Sequence, residues 1–423
     1  MPKKLVRLYI SFFLFATLSG VLRKWILQST ATGNIVFGIL LLFPLIFFIV
    51  ANTDSKKVFS NRAFTAFFLL LVIEALNPLN LTIYHGLLGI LIHSYLWFLL
   101  FLYFENRDQF DFTGFVYTFL IVLIGEVILG FIQYQLPQDH FLNRYADIEK
   151  VGGVYATVGS AVRITGTFSY IGGFSAFVIF YIFFVWYLFK INFTPIVTIA
   201  CLAGGIVTSF MTGSRGITYL YFIILGFFFL IEFKDFKKLK LTNLLPALLL
   251  LALMYTLNGN FGSFQKKIEL AYQNFDDRRA ELANQGEENG RITGDLLEVW
   301  NFRGKYPFFG VGLGATYQGA TSLFNTSEYV QEYGYYEGES ARVILEGGFL
   351  LFFARIALCI YVISLIKAPK LLKFLFFLLI VYLVNYTFNI YNAIYLAFGI
   401  ILIDNVYYLK SKENSPISSL TDS

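Results

Sequence analysis

Long stretches without one charged residue constrain this chain more than anything else in it: 35–50, 174–189 and 217–231 carry none. Each approaches the roughly 20 apolar residues that a helix needs to cross a ~30 Å hydrocarbon core. A helix on the surface of a water-soluble protein keeps a polar face, and these segments are apolar all round. With 57% hydrophobic, 19% aromatic and only 14% charged residues, the chain reads as an all-α polytopic membrane protein. Lys3, Lys4 and Arg7 lead into an apolar run with no small-residue cleavage site, so 5–22 is expected to be a first span rather than a signal peptide.

Hydropathy predicts about twelve spans, near 5–22, 34–51, 63–80, 84–104, 113–134, 170–189, 195–211, 216–233, 243–257, 343–366, 371–388 and 391–409. One set of short connections holds Lys3, Lys4, Arg7, Lys56, Lys57, Arg62, Arg107, Lys190, Lys234, Lys237, Lys238, Lys240, Lys367, Lys370, Lys373, Lys410 and Lys412. The alternate set holds little beyond Arg23, Lys24 and Arg215. The positive-inside rule makes the first set cytoplasmic, with both termini. Loops 135–169 and 258–340 then face outward. The net charge of +5 reflects this bias and points to no nucleic-acid partner. Residues 1–410 read as one transmembrane domain and the Ser-rich 411–423 as a disordered cytoplasmic tail. No internal repeat is visible, which weighs against inverted-repeat transporter folds.

Cys201 and Cys359 sit inside apolar runs, as buried small hydrophobes do. His85, His93 and His140 lack metal-ligand spacing. There is no phosphate-cradling Walker loop, dinucleotide fingerprint or D-x-D carboxylate pair, so no cofactor or metal is expected. Energy must come from a gradient or from a substrate that is already activated.

The outward loops hold the polar chemistry. Loop 135–169 is rich in Gly, Thr and Ser around Arg144 and Arg163, which suggests backbone folded back on the membrane face with free amides. Arg215 stands in a Gly-Ser-Arg-Gly turn after span seven. Guanidinium forks match phosphate oxygens, although a lone arginine here also suits a snorkelling or helix-capping role. In the long loop, Phe264, Ile268, Tyr272, Phe275 and Leu282 predict an amphipathic helix over 263–284, and Asp295 to Arg303 a second short helix, with Arg291 at its start and Arg303 at its end. Gly310–Gly314 reads as a turn. Glu339, Arg342 and Glu346, at i, i+3 and i+7, share one helix face as a candidate site, or else form ordinary ion pairs. Glu339 has the chemistry of a general base and Arg342 that of a group neutralising a phosphate. Glu126 and Arg355 lie mid-span, where unpaired charge is costly. They are expected to face the interior and pair with each other, with Arg355 pointing away from Glu346.

RITGTFSY, TGSRG, RITGDLLEVW followed by YPFFGVGLG, and ESARVILEGGFL, in this order along the chain, resemble the O-antigen polymerase and ligase superfamily. GVLRKWIL and FIQYQLP are similar to its exopolysaccharide polymerase-like members. The resemblance implies a GT-C type membrane glycosyltransferase in a bacterial inner membrane, its site facing the periplasm or cell exterior. The implied substrates are polyprenyl-diphosphate-linked oligosaccharides, held without metal or nucleotide, with a chain-length regulator and a flippase as partners. It places Arg163, Arg215 and Arg291 on the diphosphate and Glu339 where ligases have a His-Asn pair. That departure favours a polymerase, with Glu339, Arg215 and Arg342 catalytic and Glu337, Arg303 and Glu346 secondary. Alternatives are ligase-type transfer to another acceptor, a secondary transporter or lipid-linked sugar flippase, and a non-enzymatic scaffold.

Overall fold

The computed structural model describes residues 2–27, 29–54, 60–146, 157–158, 161–232, 307–316, 339–386 and 389–413. The expected span at 243–257, both short helices of the long loop and 414–423 of the terminal tail lie outside these residues, while Ser411–Glu413, expected to be disordered, continue the last helix. The helices are α1 Pro2–Val21, α2 Thr30–Asp54, α3 Arg62–Ala75, α4 Ile83–Glu105, α5 Val116–Gln135, α6 Ile171–Lys190, α7 Pro195–Met211, α8 Arg215–Glu232, α9 Glu339–Leu365, α10 Lys370–Ile380 and α11 Ile390–Glu413. They fall on the expected spans within a few residues. By length and composition, six helical stretches among the described residues can cross a membrane: Lys4–Ile26, Ile83–Glu105, Thr113–Gln135, Ile171–Lys190, Glu339–Leu365 and Ile390–Lys412. The protein is therefore an all-α, membrane-embedded chain. Its described β structure is a two-residue antiparallel ladder pairing Thr157 with Val162 and Val158 with Ala161.

The chain divides into two compact units. The first comprises Met1–Tyr9, Ile39–Phe110 and Gly286–Ala397, the second Ile10–Gly38, Asp111–Gln285 and Phe398–Ser423.

In the first unit α3 and α4 form a helical hairpin. Asn61 caps α3 by accepting from the amides of Ala63 (3.1 Å) and Phe64 (3.3 Å), and Thr82 caps α4. The pair packs tightly where Gly86 meets Ala75: a Cβ on Gly86 would lie 2.4 Å from the Ala75 carbonyl oxygen. α4 is buried continuously from His93 to Tyr103, and its apolar environment is completed by satisfied hydroxyls, Tyr95 donating to the Leu40 carbonyl and Tyr9 to that of Leu99, both at 2.7 Å. α10 runs directly into a π-helical turn, Val381–Tyr386.

α9 is broken. Gly348 has φ 64° and ψ −170°, a conformation open to glycine and strained for other residues. The break strands carbonyls on one side and amides on the other, and in a membrane each needs a partner. The 307–316 turn supplies them. Val311 and Gly312 amides donate to the carbonyls of Leu345 and Glu346 (both 2.9 Å), while the Phe349 amide donates to Pro307 (2.8 Å) and that of Leu350 to Phe308 (3.3 Å). The expected glycine turn is present, with Gly310, Gly312 and Gly314 all at positive φ.

In the second unit α6 is buried from Gly173 to Leu188 and packs on α7 and α8. Phe13, Phe119, Phe180 and Phe398 stack around it with ring centroids 4.8–5.7 Å apart for Phe13–Phe119, Phe13–Phe398 and Phe119–Phe180. At one end, the C-termini of α6, α8 and α11 converge on Glu232, which accepts from Trp186 Nε1 (2.9 Å), Lys190 Nζ (2.9 Å) and Tyr407 Oη (3.2 Å). At the opposite end of α6, the 163–169 segment folds into the helices rather than lying on them, burying Ile164, Thr165, Phe168 and Ser169.

Candidate functional site

The break at Gly348 builds a buried polar cluster in the first unit. Glu339 and Arg355 are 16 positions apart and on a straight helix would be separated by about 24 Å along the axis. Here Arg355 Nη1 donates to Glu339 Oε1 at 2.8 Å, so the half-helix 339–347 turns back beside the segment that follows. Arg355 spends its other donors on the π-helical turn: Nε to Asn385 Oδ1 (3.0 Å) and Nη2 to the Val384 carbonyl (2.7 Å). A π turn leaves carbonyls outside the α-helical ladder, and Ser340 Oγ takes a further one, that of Asn385, at 2.5 Å.

Glu346 closes the other side. Its Oε2 accepts from the Gly314 amide (2.8 Å), and its Oε1 accepts from the Thr316 amide (2.9 Å) and hydroxyl (2.6 Å). His93, from α4, joins the two ends of the cluster, with Nε2 3.0 Å from Glu346 Oε2 and Nδ1 3.0 Å from Arg355 Nη1. Glu339, Arg342, Glu346 and Arg355 are each at most 3% exposed. Two carboxylates and two guanidiniums balance in charge, which lowers the cost of burying them. Buried ionisable groups inside a membrane protein mark function more often than packing.

Two expectations change here. Arg355 takes Glu339 as its carboxylate, not Glu126. Arg355 and Glu346 also share His93 instead of facing away from each other, because helical phase carries no information across a break. Glu339 and Arg342 keep the expected i, i+3 relation, Arg342 Nε lying 3.8 Å from Glu339 Oε2. That oxygen is buried and accepts no hydrogen bond among the described residues. An orphaned buried carboxylate oxygen needs a reason.

The second unit holds its own polar centre. Glu126 accepts from the amide (3.0 Å) and the hydroxyl of Thr167. Gln133 Oε1 accepts from the amides of Thr165 (3.1 Å) and Gly166 (2.8 Å). Among the described residues of this loop, the amides of Thr165, Gly166 and Thr167 are occupied, not free as expected. Lys24, fully buried in the π-helical turn Leu22–Ile26, donates to Thr165 Oγ1 (2.8 Å) and the Gly166 carbonyl (3.0 Å). Arg163 Nε donates to the Thr212 carbonyl at 3.0 Å, capping the C-terminus of α7. Its charge opposes the upward push that burial exerts on the Tyr145 phenol. Arg215 opens α8, its side chain outside the description, while Arg291, Arg303 and Glu337 lie among the undescribed residues.

His93, Thr316, Asn385 and Lys24 were missed by sequence reasoning. His93 sits in an unbroken apolar run, and the two glycines Gly347 and Gly348 directly after Glu346 were the one visible sign that the helix stops there. Among the described residues no group of His, Cys, Asp and Glu could hold a metal ion, and both cysteines are buried free thiols. No protein-family model, curated protein or solved structure matches this sequence.

Proposed function

We propose that this chain is a GT-C type glycosyltransferase of the O-antigen polymerase and ligase superfamily, in a bacterial inner membrane, which joins lipid-linked repeat units at the outer face. The observation that carries this reading is Glu339: one oxygen is clamped by Arg355 at 2.8 Å, and the other is buried beside Arg342 and accepts no hydrogen bond among the described residues. A carboxylate fixed through one oxygen presents the other in a set direction. In the reaction, the acceptor hydroxyl oxygen bonds to the anomeric carbon of the donor glycan while its proton passes to Glu339 Oε2. The bond from that carbon to the diphosphate oxygen breaks, and the electron pair leaves with the polyprenyl diphosphate. Arg342 offsets the developing negative charge, and Glu339 then gives its proton to water. For Arg163, Arg215 and Arg291 the diphosphate role stays what the resemblance implies. The convergence of three helix ends on Glu232, next to Lys190 and Lys410, supports a common cytoplasmic side for them, in line with about twelve spans and cytoplasmic termini.

The test is polymer laddering in cells lacking the gene and complemented with wild type or Glu339→Gln, with protein levels checked. Wild type should restore the ladder, and the variant should leave single repeats, a loss of about 10²–10⁴-fold as for a missing general base. A ladder in cells without the gene removes the function, and an unchanged ladder with the variant removes the base.

The buried charged line Glu339–Arg355–His93–Glu346 favours a second reading, a secondary transporter or lipid-linked sugar flippase. Flipping of a fluorescent polyprenyl-diphosphate sugar in proteoliposomes, with no polymer formed in cells, would select it.

A further inference from the structure

We propose that His93 is a positioning residue that sets Arg355, and through it Glu339; the inference rests on the assignment of Glu339 as base. Arginine is a donor only. With Arg355 Nη1 3.0 Å from His93 Nδ1, that nitrogen must accept, so the ring proton sits on Nε2. Nε2 in turn lies 3.0 Å from Glu346 Oε2, an acceptor. One imidazole therefore receives from the guanidinium and donates to the carboxylate, and neither bond can reverse without losing the other. The same Arg355 Nη1 donates to Glu339 Oε1 at 2.8 Å. Glu346 is itself anchored by Gly314 and Thr316.

The consequence is a rigid line from the 307–316 turn to the reacting carboxylate. His93 is 3% exposed, and among the described residues its ring bonds Glu346 and Arg355; it acts by fixing the direction from which Arg355 grips Oε1. The unbonded Oε2 then points the same way in every turnover. A merely space-filling aromatic ring at 93 would leave Arg355 held by Asn385 and the Val384 carbonyl but without its His93 acceptor, and the direction of Nη1 toward Glu339 would be less fixed.

The test uses the full chain in lipid nanodiscs and in cells. Glutamine places an acceptor oxygen and a donor nitrogen on one carbon, as the imidazole places its two nitrogens, whereas phenylalanine keeps the ring shape alone. His93→Gln should ladder within about threefold of wild type, while His93→Phe, at equal protein level and with cooperative melting, should fall by about 10- to 100-fold, as when other orienting partners are lost. Equal activity of the two variants, whether high or low, overturns the proposal. A second readout does not depend on the reaction: the ring-¹⁵N spectrum of wild type, with the His93 signal identified by its loss in His93→Gln, should show the Nε2–H tautomer at neutral pH. An Nδ1–H ring or an imidazolium overturns the inference even if polymer is made. If wild type makes no polymer, the glycosyltransferase reading fails and the spectrum alone decides the position of the ring proton.

Discussion

Arg355 is where one substitution tests the most geometry. Its guanidinium serves Glu339, His93, Asn385 and the Val384 carbonyl together, and a lysine ammonium on a flexible stem cannot reproduce that planar fork. Arg355→Lys should lower polymer formation by on the order of 10- to 100-fold despite keeping the charge, as read from ladder intensity at matched expression. Glu346 makes a different point. Glu346→Ala strips the acceptor from two buried amides, a hydroxyl and an imidazole, and should destabilise the protein by about 3 kcal/mol or more, seen as a lower melting temperature in detergent. The sequence made Glu339, Arg342 and Glu346 visible because helical spacing is local. It left His93 and Asn385 unseen because their partners lie 262 and 30 positions away, and apolar periodicity does not report long-range polar pairing.

The broken helix shows how far such reading extends among elements. Hydropathy located the helices because each buries its own backbone polar groups. It could not show that α9 stops and restarts, since both halves read as one helix-compatible run. Gly348 decides it, both by its left-handed φ and because a Cβ there would lie 2.2 Å from Phe308 backbone atoms. Gly348→Ala should therefore cost at least about 2 kcal/mol and release the 307–316 turn. Gly38 in α2 would meet nothing within 4 Å, so Gly38→Ala should be neutral or slightly stabilising by removing backbone freedom. Thermal melts of the two variants against wild type check both, and equal losses would mean that the break is not held by Gly348.

At the scale of the molecule, the distribution of Lys and Arg and the meeting of α6, α8 and α11 at Glu232 argue for one sidedness. A fluorescent protein fused after Glu413 should fold and fluoresce, alkaline phosphatase at the same place should be inactive, and phosphatase fused after Gly290 should be active; the reverse pattern would invert the topology. The half-helix 339–347 adds a constraint on biosynthesis. With Glu339, Arg342 and Glu346 in so short a segment, it is too polar for the translocon to release sideways into lipid. It gains its shelter from His93, made long before it, and from Arg355, made just after it. The nascent chain must therefore seat this segment late, once its neighbours already stand in the bilayer, and a ribosome stalled ahead of Arg355 would leave it outside.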